Sequence, residues 1–433
     1  MSASDPRDDE PYVAELRGWL AQHWDPDVSV DEWWQRVGDA GWTAPHFPTE
    51  WGGRGLSRRA QTTVRAEFRR HGALQPPGGL GLLMAAPTIL THGTPEQVAR
   101  HVPGVMNGSV AWCQLFSEPG AGSDLAGLGT RAVREGEKWR VTGQKVWSSY
   151  AAECDYGMLI ARTDVDAPKH AGISWFALRL DQPGVTVRPL RESTGFAHFN
   201  EVFLDGAEVD HADLIGGESQ GWAVTQTTLL FERAGIGAGG GMAGFPPPGR
   251  KGGFLGLPAG DAARIAPPGA TQKVLSADEL LTLARERGRA GDPHVRQALA
   301  RLVAHTRTGA WTAARARAAA GAAGTGLANL GKLAQTRILK GSANLALEIL
   351  GADGMLWAPD GPVEGRYSEA MVFSTASSIY GGTDEIQRNV VGERALGLPR
   401  EPSVDRGVPF RDIPRDLRGD GAPHHPHRQE GTR

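Results

Sequence analysis

The chain of 433 residues is too long for one ordinary hydrophobic core, which predicts two or three packed units. Its 46 Lys and Arg residues nearly balance 49 Asp and Glu residues, and the absence of a long basic run argues against nucleic acid as a partner. Two cysteines, Cys113 and Cys154, are too few for a disulfide scaffold or a zinc site. The acidic N-terminus is unlike a secretory signal, and no apolar run reaches the roughly 20 residues of a membrane span. We expect a soluble, reduced, cytoplasmic protein that binds no metal.

The first part of the chain has helical periodicity. Ser29 is a candidate N-cap for the run VDEWWQRVGD. Thr94 and Gln97 have the spacing of a capping box, with proline at the first helical position between them. We assign residues 1–110 to an α-helical N-terminal domain.

The pattern then changes to short runs of β-branched and aromatic residues. The stretch RAVREGEKWRVTGQKVWSS alternates about a turn at Glu135 and Gly136. The runs YGMLIARTD, GISWFALRL, VTVRPL and HFNEVFLDG follow, separated by Gly, Asp or Pro. Because no helical run of about 10–15 residues separates these strands, a doubly wound parallel sheet is not expected. Residues 111–215 are predicted to form a small barrel or sandwich.

Helical periodicity returns after the strands. It begins at SQGWAVTQTTLLFERAG and dominates residues 275–351, which predicts a helical bundle over residues 216–400. Within the bundle, residues 236–272 are so rich in Gly and Pro that we predict a mobile loop. Residues 401–433 are predicted to be a disordered tail. Small-molecule sites tend to lie where such domains meet.

The strongest local signal is the stretch WCQLFSEPGAGSDLAG at residues 112–127. Gly120 and Gly122 let backbone N–H groups approach an anion closely, and Ser123 adds a hydroxyl donor. From the preceding strand, Ser117 can reach the edge of a heteroaromatic ring. On geometry alone, an ordinary Gly-rich turn is an equal alternative.

The segment SEPGAGSD resembles the signature of the acyl-CoA dehydrogenase family, in which Thr or Ser precedes Glu-Pro and a Gly-Ser-Asp turn. Two further stretches, KVWSS and IYGGTDEIQRNVVGERALG, resemble other motifs of that family, and the resemblance covers about residues 10–400. It implies an α+β multidomain fold with an N-terminal helical domain, a central β-barrel and a C-terminal four-helix-bundle domain. It also implies a flavoprotein oxidoreductase of lipid or fatty acid catabolism that acts on CH–CH groups.

The resemblance implies that FAD binds between the barrel and the bundle. Four residues would run along the flavin edge: Gln114, Leu115, Phe116 and Ser117. Two would lie by the pyrophosphate or the thioester arm of the substrate: Gly122 and Ser123. Three would cover the other side of the flavin: Trp147, Ser148 and Ser149. Simple packing within the barrel is the alternative role for Trp147.

The resemblance also implies cofactor contacts from the C-terminal domain. Thr383 and Glu385 match contacts in the final motif, and Glu348 and Gly351 match a segment that reaches the adenosine end from a neighbouring subunit. Many relatives have Gln where this chain has Glu348.

An arginine-containing segment that is usual in the family, with Thr-Phe-Gly after the arginine, is absent here. The sequence ARERGRAGDPHVRQ stands in its place, and Arg287 and Gln297 are the nearest counterparts. Surface positions on a solvated helix are an equal alternative for both.

The resemblance implies α,β-dehydrogenation of an acyl-CoA thioester to the 2-enoyl-CoA, with a hydride passing to flavin N5. This reaction needs a carboxylate that removes the α-proton. In many members, that carboxylate is a Glu immediately before the Gly-Thr of the final motif, where this chain has Gly381 followed by Gly382. The two glycines remove side-chain volume, so a branched or bulky acyl group is expected.

A subset of the family, including isovaleryl-type and several actinobacterial steroid-type enzymes, supplies the base from a bundle helix in a Glu-Arg pair. The run TLLFERAG matches that arrangement at Glu232 and Arg233. Glu232 is therefore the candidate catalytic base, and four residues are candidates for substrate binding: Ser123, Arg233, Gly381 and Gly382. An ion pair of Glu232 with Arg233 or another basic residue, within or between subunits, is the alternative.

Three functions stay open at this point. The first is an acyl-CoA dehydrogenase that passes electrons to an electron-transferring flavoprotein, as a homotetramer, a homodimer or a heterotetramer with a related subunit. The second is a non-catalytic subunit that completes the FAD site of a heteromeric dehydrogenase. The third is a flavin monooxygenase on the same fold, which needs no α-proton base. The fold alone does not separate these functions.

Overall fold

A computed structural model describes residues 10–237, 249, 251, 253–265, 275–318, 321–357, 360–400, 402–403 and 405–414. Its N-terminal part is helical, with these α-helices: α1 (Pro11–His23), α2 (Val30–Asp39), α3 (Ala60–His71), α4 (Ala86–His92) and α5 (Pro95–Met106). Ser29 caps α2 by accepting a hydrogen bond from the N–H of Glu32, and the predicted capping box of Thr94 and Gln97 opens α5. A π-helical turn at Gly81–Ala85 runs directly into α4.

The middle of the chain forms one sheet of eight strands: β1 (Trp112–Leu115), β2 (Arg131–Glu135), β3 (Lys138–Ser149), β4 (Tyr156–Arg162), β5 (Ile173–Arg179), β6 (Val185–Leu190), β7 (Phe199–Asp210) and β8 (Leu214–Ile215). The strand order is β6-β7-β3-β2-β4-β5-β8, and β1 pairs with β4 in parallel. The turn between β2 and β3 is at Gly136, which has a φ of 65°.

The C-terminal part is helical again: α6 (Gly221–Gly237), α7 (Ala259–Arg264), α8 (Ala277–Glu286), α9 (Pro293–Ala318), α10 (Gly321–Leu350), α11 (Arg366–Ala376) and α12 (Asp384–Val390). The long helix α10 lies at its centre and packs against α6, α8, α9, α11 and α12. The predicted order of a helical domain, a sheet domain and a helical bundle is confirmed. Among the described residues, no helix combines the length and the apolar character that crossing a bilayer requires.

The predicted mobile loop over residues 236–272 is wrong for residues 253–265. This segment packs on the N-terminal domain, where the Phe254 ring lies 5.6 Å from the Trp34 ring. The N–H of Val30 donates to the carbonyl of Leu257, and Ala259 is fully buried. The Gly- and Pro-rich composition correctly indicated that the segment has no long helix or strand. It did not indicate the apolar surface of the N-terminal domain on which the segment packs. The other residues of this loop lie outside the described ranges, apart from 236–237 at the end of α6 and positions 249 and 251.

The predicted disordered tail over residues 401–433 is wrong for residues 405–414. Here Phe410 and Ile413 are buried, and the N–H groups of Phe410 and Arg411 donate to carbonyls of residues 167 and 165 in the sheet domain. Two buried apolar side chains therefore order this segment, in which Phe410–Asp412 form a 3-10 turn. Residues 415–433 lie outside the described part of the chain.

Candidate active site

Glu232 lies on α6, where this helix passes between the N-terminal domain and the sheet. The hydroxyl of Thr228, one turn earlier, accepts a hydrogen bond from the Thr88 hydroxyl at 3.1 Å, and Thr228 is fully buried. On the same helix, Leu229 packs against the apolar core that contains residues of α4, β1 and β5. This packing places Glu232 inside the protein, with 8% of the residue exposed.

The Glu232 carboxylate faces the first strand of the Gly-rich motif. Its Oε2 lies 3.5 Å from the amide Nε2 of Gln114 on β1. Burial raises the pKa of the Glu232 carboxyl, while the hydrogen bond from Gln114 and the charge of Arg233 act in the opposite direction. The site therefore holds a carboxyl group that is a stronger base than one in water.

Arg233 does not neutralise Glu232 by direct contact. Its Nε donates to the carbonyl of Leu229 at 3.0 Å. Within the described ranges, no Lys, Arg or His nitrogen lies within 4.0 Å of the Glu232 carboxylate oxygens. The intrahelical ion pair considered above is thus not formed in this chain.

The Gly-rich motif leaves β1 and forms an exposed turn. Among residues 114–117, Leu115 and Phe116 are buried, whereas Gln114 and Ser117 are partly accessible. Backbone hydrogen bonds in both directions between Glu118 and Ala121 close the turn. Beyond it, Gly122 and Ser123 are exposed, and a Cβ at Gly122 would meet no other atom within 4 Å. An incoming ligand therefore has free access to this backbone.

A buried ion pair joins the two motifs of the sheet domain. Lys145 Nζ lies 2.7 Å from Glu118 Oε1 and also donates to the carbonyl of Phe116 at 3.1 Å. Burial alone would raise the pKa of Glu118, but Lys145 and hydrogen bonds from residues 129 and 130 lower it. The sequence interpretation gave Lys145 no role. The available signal for a buried Lys145 was its place in a predicted strand, between Gln144 and Val146 and at the start of the KVWSS motif.

Trp147 stands at an irregularity in the pairing of β3 with β7. The register shifts between Lys145 and Ser148, and Trp147 has a φ of 60° in the left-handed region. The residue is 58% exposed, and its ring lies 5.8 Å from the Phe199 ring in a T-shaped contact. The alternative of simple barrel packing does not describe a side chain that is turned outward in this way.

Ser148 and Ser149 differ from Trp147 because both are buried. Ser148 is fully enclosed, and its hydroxyl has no hydrogen-bond partner among the described residues. The carbonyl of Ser148 accepts from the Asn200 amide at 3.1 Å. The Ser148 side chain thus does not open onto the surface on which Trp147 lies.

The final motif forms a tight turn ahead of α12. Gly381 and Gly382 have φ values of 64° and 82°, and a Cβ at Gly382 would lie 2.6 Å from Nε2 of Gln387. Thr383 caps α12 through its hydroxyl. Glu385 is exposed and pairs with Arg388 of its own helix at 3.3 Å.

Two buried side chains of α10 hold this turn. Lys332 and Thr336 both donate to the carbonyl of Ser377, where the turn begins, and both contact Oδ1 of Asp384, where it ends. Neither residue was identified from the sequence. The conformation of the glycine pair is therefore supported from the bundle side.

The remaining predicted cofactor residues lie on the bundle surface. Arg287 is exposed and pairs with Asp353 at 2.5 Å, two residues after Gly351, which has a φ of 59°. Glu348 is exposed on α10, and its carbonyl accepts from an arginine at position 289. Gln297 is exposed on α9. None of these four is shown in contact with Glu232.

Comparison with known proteins matches the chain in three consecutive parts. Residues 10–109 match the acyl-CoA dehydrogenase N-terminal domain, residues 113–207 the middle domain and residues 266–396 the C-terminal domain. The chain is 35% identical to acyl-CoA dehydrogenase IpdE1 of Mycobacterium tuberculosis, over 91% of this chain and 99% of that protein. It is 38% identical to acyl-CoA dehydrogenase FadE34 of the same organism, over 84% of this chain and 46% of that longer protein.

Solved structures give the same result. The structure described as Tcur3481-Tcur3483 steroid ACAD is 26% identical, with a TM-score of 0.69 over 93% of this chain and all of that one. The ChsE4-ChsE5 complex from Mycobacterium tuberculosis is 27% identical, with a TM-score of 0.66 over 93% of this chain and all of that one. The chain belongs to the acyl-CoA dehydrogenase family.

Proposed function

We propose that the chain is an FAD-dependent acyl-CoA dehydrogenase that forms a 2-enoyl-CoA, with Glu232 as the base. The observation that carries this proposal is a buried carboxyl group without an ion-pair partner in the described chain, placed beside Gln114 of the Gly-rich motif. The family is flavin-dependent and acts on CH–CH groups, which agrees with a need for such a base.

The chemistry requires Glu232 to remove a weakly acidic proton from the carbon next to the thioester carbonyl. Burial away from water makes this carboxylate more basic, and a general base works best when its pKa lies near the working pH. Gln114 donates its amide hydrogen to the carboxylate and keeps it oriented toward β1. Gly381, at the position of the base in many relatives, provides no carboxyl group.

The residues of the two sheet motifs fit a flavin. Exposed backbone and hydroxyl donors at Gly122 and Ser123 suit a pyrophosphate, and the outward-facing Trp147 offers an aromatic surface for a ring system. Bound FAD would supply the acceptor for the hydride. We propose that the side chains of Gln114 and Ser117 contact the edge of the flavin. Leu115 and Phe116 would contact it through their backbone, because their side chains are buried.

The acyl group is proposed to be branched or bulky. The turn at Gly381 and Gly382 has no side chain where many relatives carry a carboxylate. A solved relative at 26% identity is described as a steroid ACAD, which supports a large acyl group. We therefore expect straight medium-length acyl-CoA esters to be poor substrates.

The proposed assembly is a homotetramer, a homodimer or a heterotetramer with a related subunit, and electrons would pass to an electron-transferring flavoprotein. Several large apolar side chains of the bundle domain are exposed: Met355, Val363, Ile379, Leu396 and Leu398. We propose that such an assembly covers part of this exposed apolar surface. The similarity to the ChsE4-ChsE5 complex supports a partner that is itself a dehydrogenase subunit.

The test is anaerobic mixing of the purified protein with a panel of acyl-CoA esters while the flavin absorbance is followed. Wild type should bleach with branched or polycyclic esters, and Glu232→Gln should not, whereas the surface control Glu135→Gln, which loses only the charge of an exposed pair with Arg140, should behave like wild type. Equal bleaching of wild type and Glu232→Gln would refute the role of Glu232. A chain that binds flavin only with a partner would favour the non-catalytic subunit, and fast reoxidation with product hydroxylation would favour the monooxygenase.

A further inference from the structure

The segment that we call the C-terminal strap, residues 405–414, lies beyond the matched family domains, which end at residue 396. It folds back onto the loop between β4 and β5, residues 163–172. The N–H of Phe410 donates to the carbonyl of Ala167 at 3.0 Å, and Phe410 and Ile413 are buried. The strap is thus a fixed part of the sheet domain.

A chain of charges leads from the strap to the Gly-rich turn. Lys169 Nζ forms an ion pair with Asp405 of the strap and lies 3.0 Å from each carboxylate oxygen of Asp124. Asp124 directly follows Ser123 in the chain. The side chains of Lys169 and Asp405 are each only 14% exposed, so water screens this pair less than a surface pair.

A second contact reaches the same turn from its other end. The Phe410 ring lies 3.4 Å from the guanidinium carbon of Arg162. That buried guanidinium donates to the carbonyl of Ala126 at 2.7 Å and to the carbonyl of Leu128 at 3.2 Å. The strap therefore contacts both Lys169 and Arg162, the two side chains that hold the segment after Ser123.

The exposed part of the turn, residues 122–124, lies between the backbone hydrogen bonds of Glu118 with Ala121 and the 3-10 turn at Leu125–Gly127. Gly122, Ser123 and Asp124 are all exposed, and Gly122 has open space around the position of a Cβ. A loop that must become ordered when its ligand binds loses part of the binding energy to that ordering. An anchor that orders the loop in advance removes this loss.

We propose that Lys169, held by Asp405 of the C-terminal strap, is a positioning residue that keeps Gly122 and Ser123 in place for their phosphate-containing ligand. This inference rests on the proposed binding of FAD and acyl-CoA at the turn. It assigns Lys169 no direct contact with the ligand, since its ammonium group is occupied by two carboxylates.

The experiment compares full-length Lys169→Met and Asp405→Asn with Lys169→Arg, which keeps the charge, and with Arg411→Ala as the matched control. Arg411 is also in the strap and pairs with Asp166 at 2.6 Å, but both side chains are more than half exposed and do not touch the turn. The probes are FAD, titrated by fluorescence quenching, and the best acyl-CoA ester of the panel. Backbone hydrogen exchange is measured over residues 120–128 of the apoprotein.

We expect Lys169→Met and Asp405→Asn to weaken FAD binding or to raise KM roughly three- to tenfold, with kcat unchanged at saturation. Exchange over residues 120–128 should accelerate in both variants, while Lys169→Arg and Arg411→Ala should match wild type.

The proposal would be overturned if Lys169→Met and Arg411→Ala had equal FAD affinities, equal KM values and equal exchange rates. A lower Tm with unchanged exchange and affinity in the folded fraction would also overturn it, because the role would then be structural only. Wild type that binds no FAD refutes the proposed function instead, and the exchange of the apoprotein still decides whether Lys169 orders the turn.

Discussion

The ammonium of Lys145 lies 2.7 Å from the carboxylate of Glu118, and both side chains are almost completely buried. Glu118 belongs to the Gly-rich motif after β1, and Lys145 lies two residues before the outward-turned Trp147. The N–H of Val146 also donates to the carbonyl of Ser117, so the two motifs are joined at adjacent positions. The ion pair and this backbone hydrogen bond together fix the relative position of both proposed flavin-binding segments.

We predict that Lys145→Met alone is strongly destabilising, by about 3–5 kcal/mol, because it leaves a buried carboxylate without its counter-charge. The double variant Lys145→Met with Glu118→Gln should recover part of that loss, because it removes the unpaired charge. The recovery is partial, because the N–H groups of residues 129 and 130 bond to different oxygens of Glu118 and the Gln side chain has a single acceptor oxygen. Urea unfolding of wild type, both single variants and the double variant gives the coupling free energy. Additive effects of the two substitutions would contradict this account.

The raised pKa of Glu232 predicts how its contribution to stability depends on pH. A carboxyl group whose pKa is higher in the folded than in the unfolded state stabilises the fold at low pH, and this contribution is lost as the pH rises through the folded-state pKa. Relative to Glu232→Gln, wild type should therefore become less stable between about pH 4 and about pH 8. Paired urea titrations at both pH values test this. A constant difference would mean that the pKa of Glu232 is the same in both states.

The same group predicts the acidic limb of the activity profile. The base must be deprotonated, so kcat should rise with pH through a pKa above that of a solvated Glu. Glu232→Gln should lower kcat by about 100- to 10,000-fold. Stopped-flow flavin reduction across the pH range measures both effects. An acidic limb that survives in the residual activity of the variant would assign the titration to another group.

Gly382 and Gly122 form a matched pair of glycine substitutions. Gly382→Ala places a Cβ 2.6 Å from the Gln387 amide at a φ of 82°, whereas Gly122→Ala meets open space. We expect the first substitution to lower the free energy of unfolding by about 1–3 kcal/mol and the second to change it little. Urea unfolding of the protein freed of FAD provides the measurement, because Gly122 is also a proposed cofactor contact and its substitution could change the stabilisation that bound FAD gives. Similar costs at the two positions would contradict the described turn at Gly381 and Gly382.

The docked segment 253–265 is tested by Phe254→Ala. Removing a buried ring next to Trp34 should cost about 3–5 kcal/mol and should expose the segment to proteases. The exposed neighbour Lys251→Ala is a suitable control, because among the described residues it removes one hydrogen bond, to the carbonyl of Cys154. Equal cleavage of both variants within residues 253–265 would show that the segment does not depend on Phe254.

Local sequence signals predicted the parts of this protein whose structure is determined locally. The cap at Ser29, the capping box at Thr94 and the turn at Gly136 each depend on residues within a few positions, and all three are confirmed. The two docked segments depend instead on surfaces that lie far away in the chain. Their Gly- and Pro-rich composition is typical of loops, and it carries no information about where Phe254 or Phe410 finds a partner.

The residues of the candidate site likewise include some with a local sequence signal and others whose role depends on distant parts of the chain. The sequence predicted Glu232 through a resemblance in its helix, and the structure adds that this carboxyl is buried beside Gln114. The groups that hold the site were missed, among them Lys145, Lys169 and Lys332. Sequence patterns place a lysine on the surface, because buried lysines are rare. Only the three-dimensional structure shows the partner that stabilises such a side chain away from water.

The packing of residues 253–265 on α2 also affects how the protein is synthesised. Trp34 is made early, but its neighbour Phe254 leaves the ribosome only after the whole sheet domain and α6. The apolar core around α1, α2 and α3 therefore stays incomplete during most of translation, because it lacks the side chains of Phe254, Leu255 and Ala259. A nascent chain that stalls before this segment would expose that core to chaperones, even though every helix of the N-terminal domain is already present.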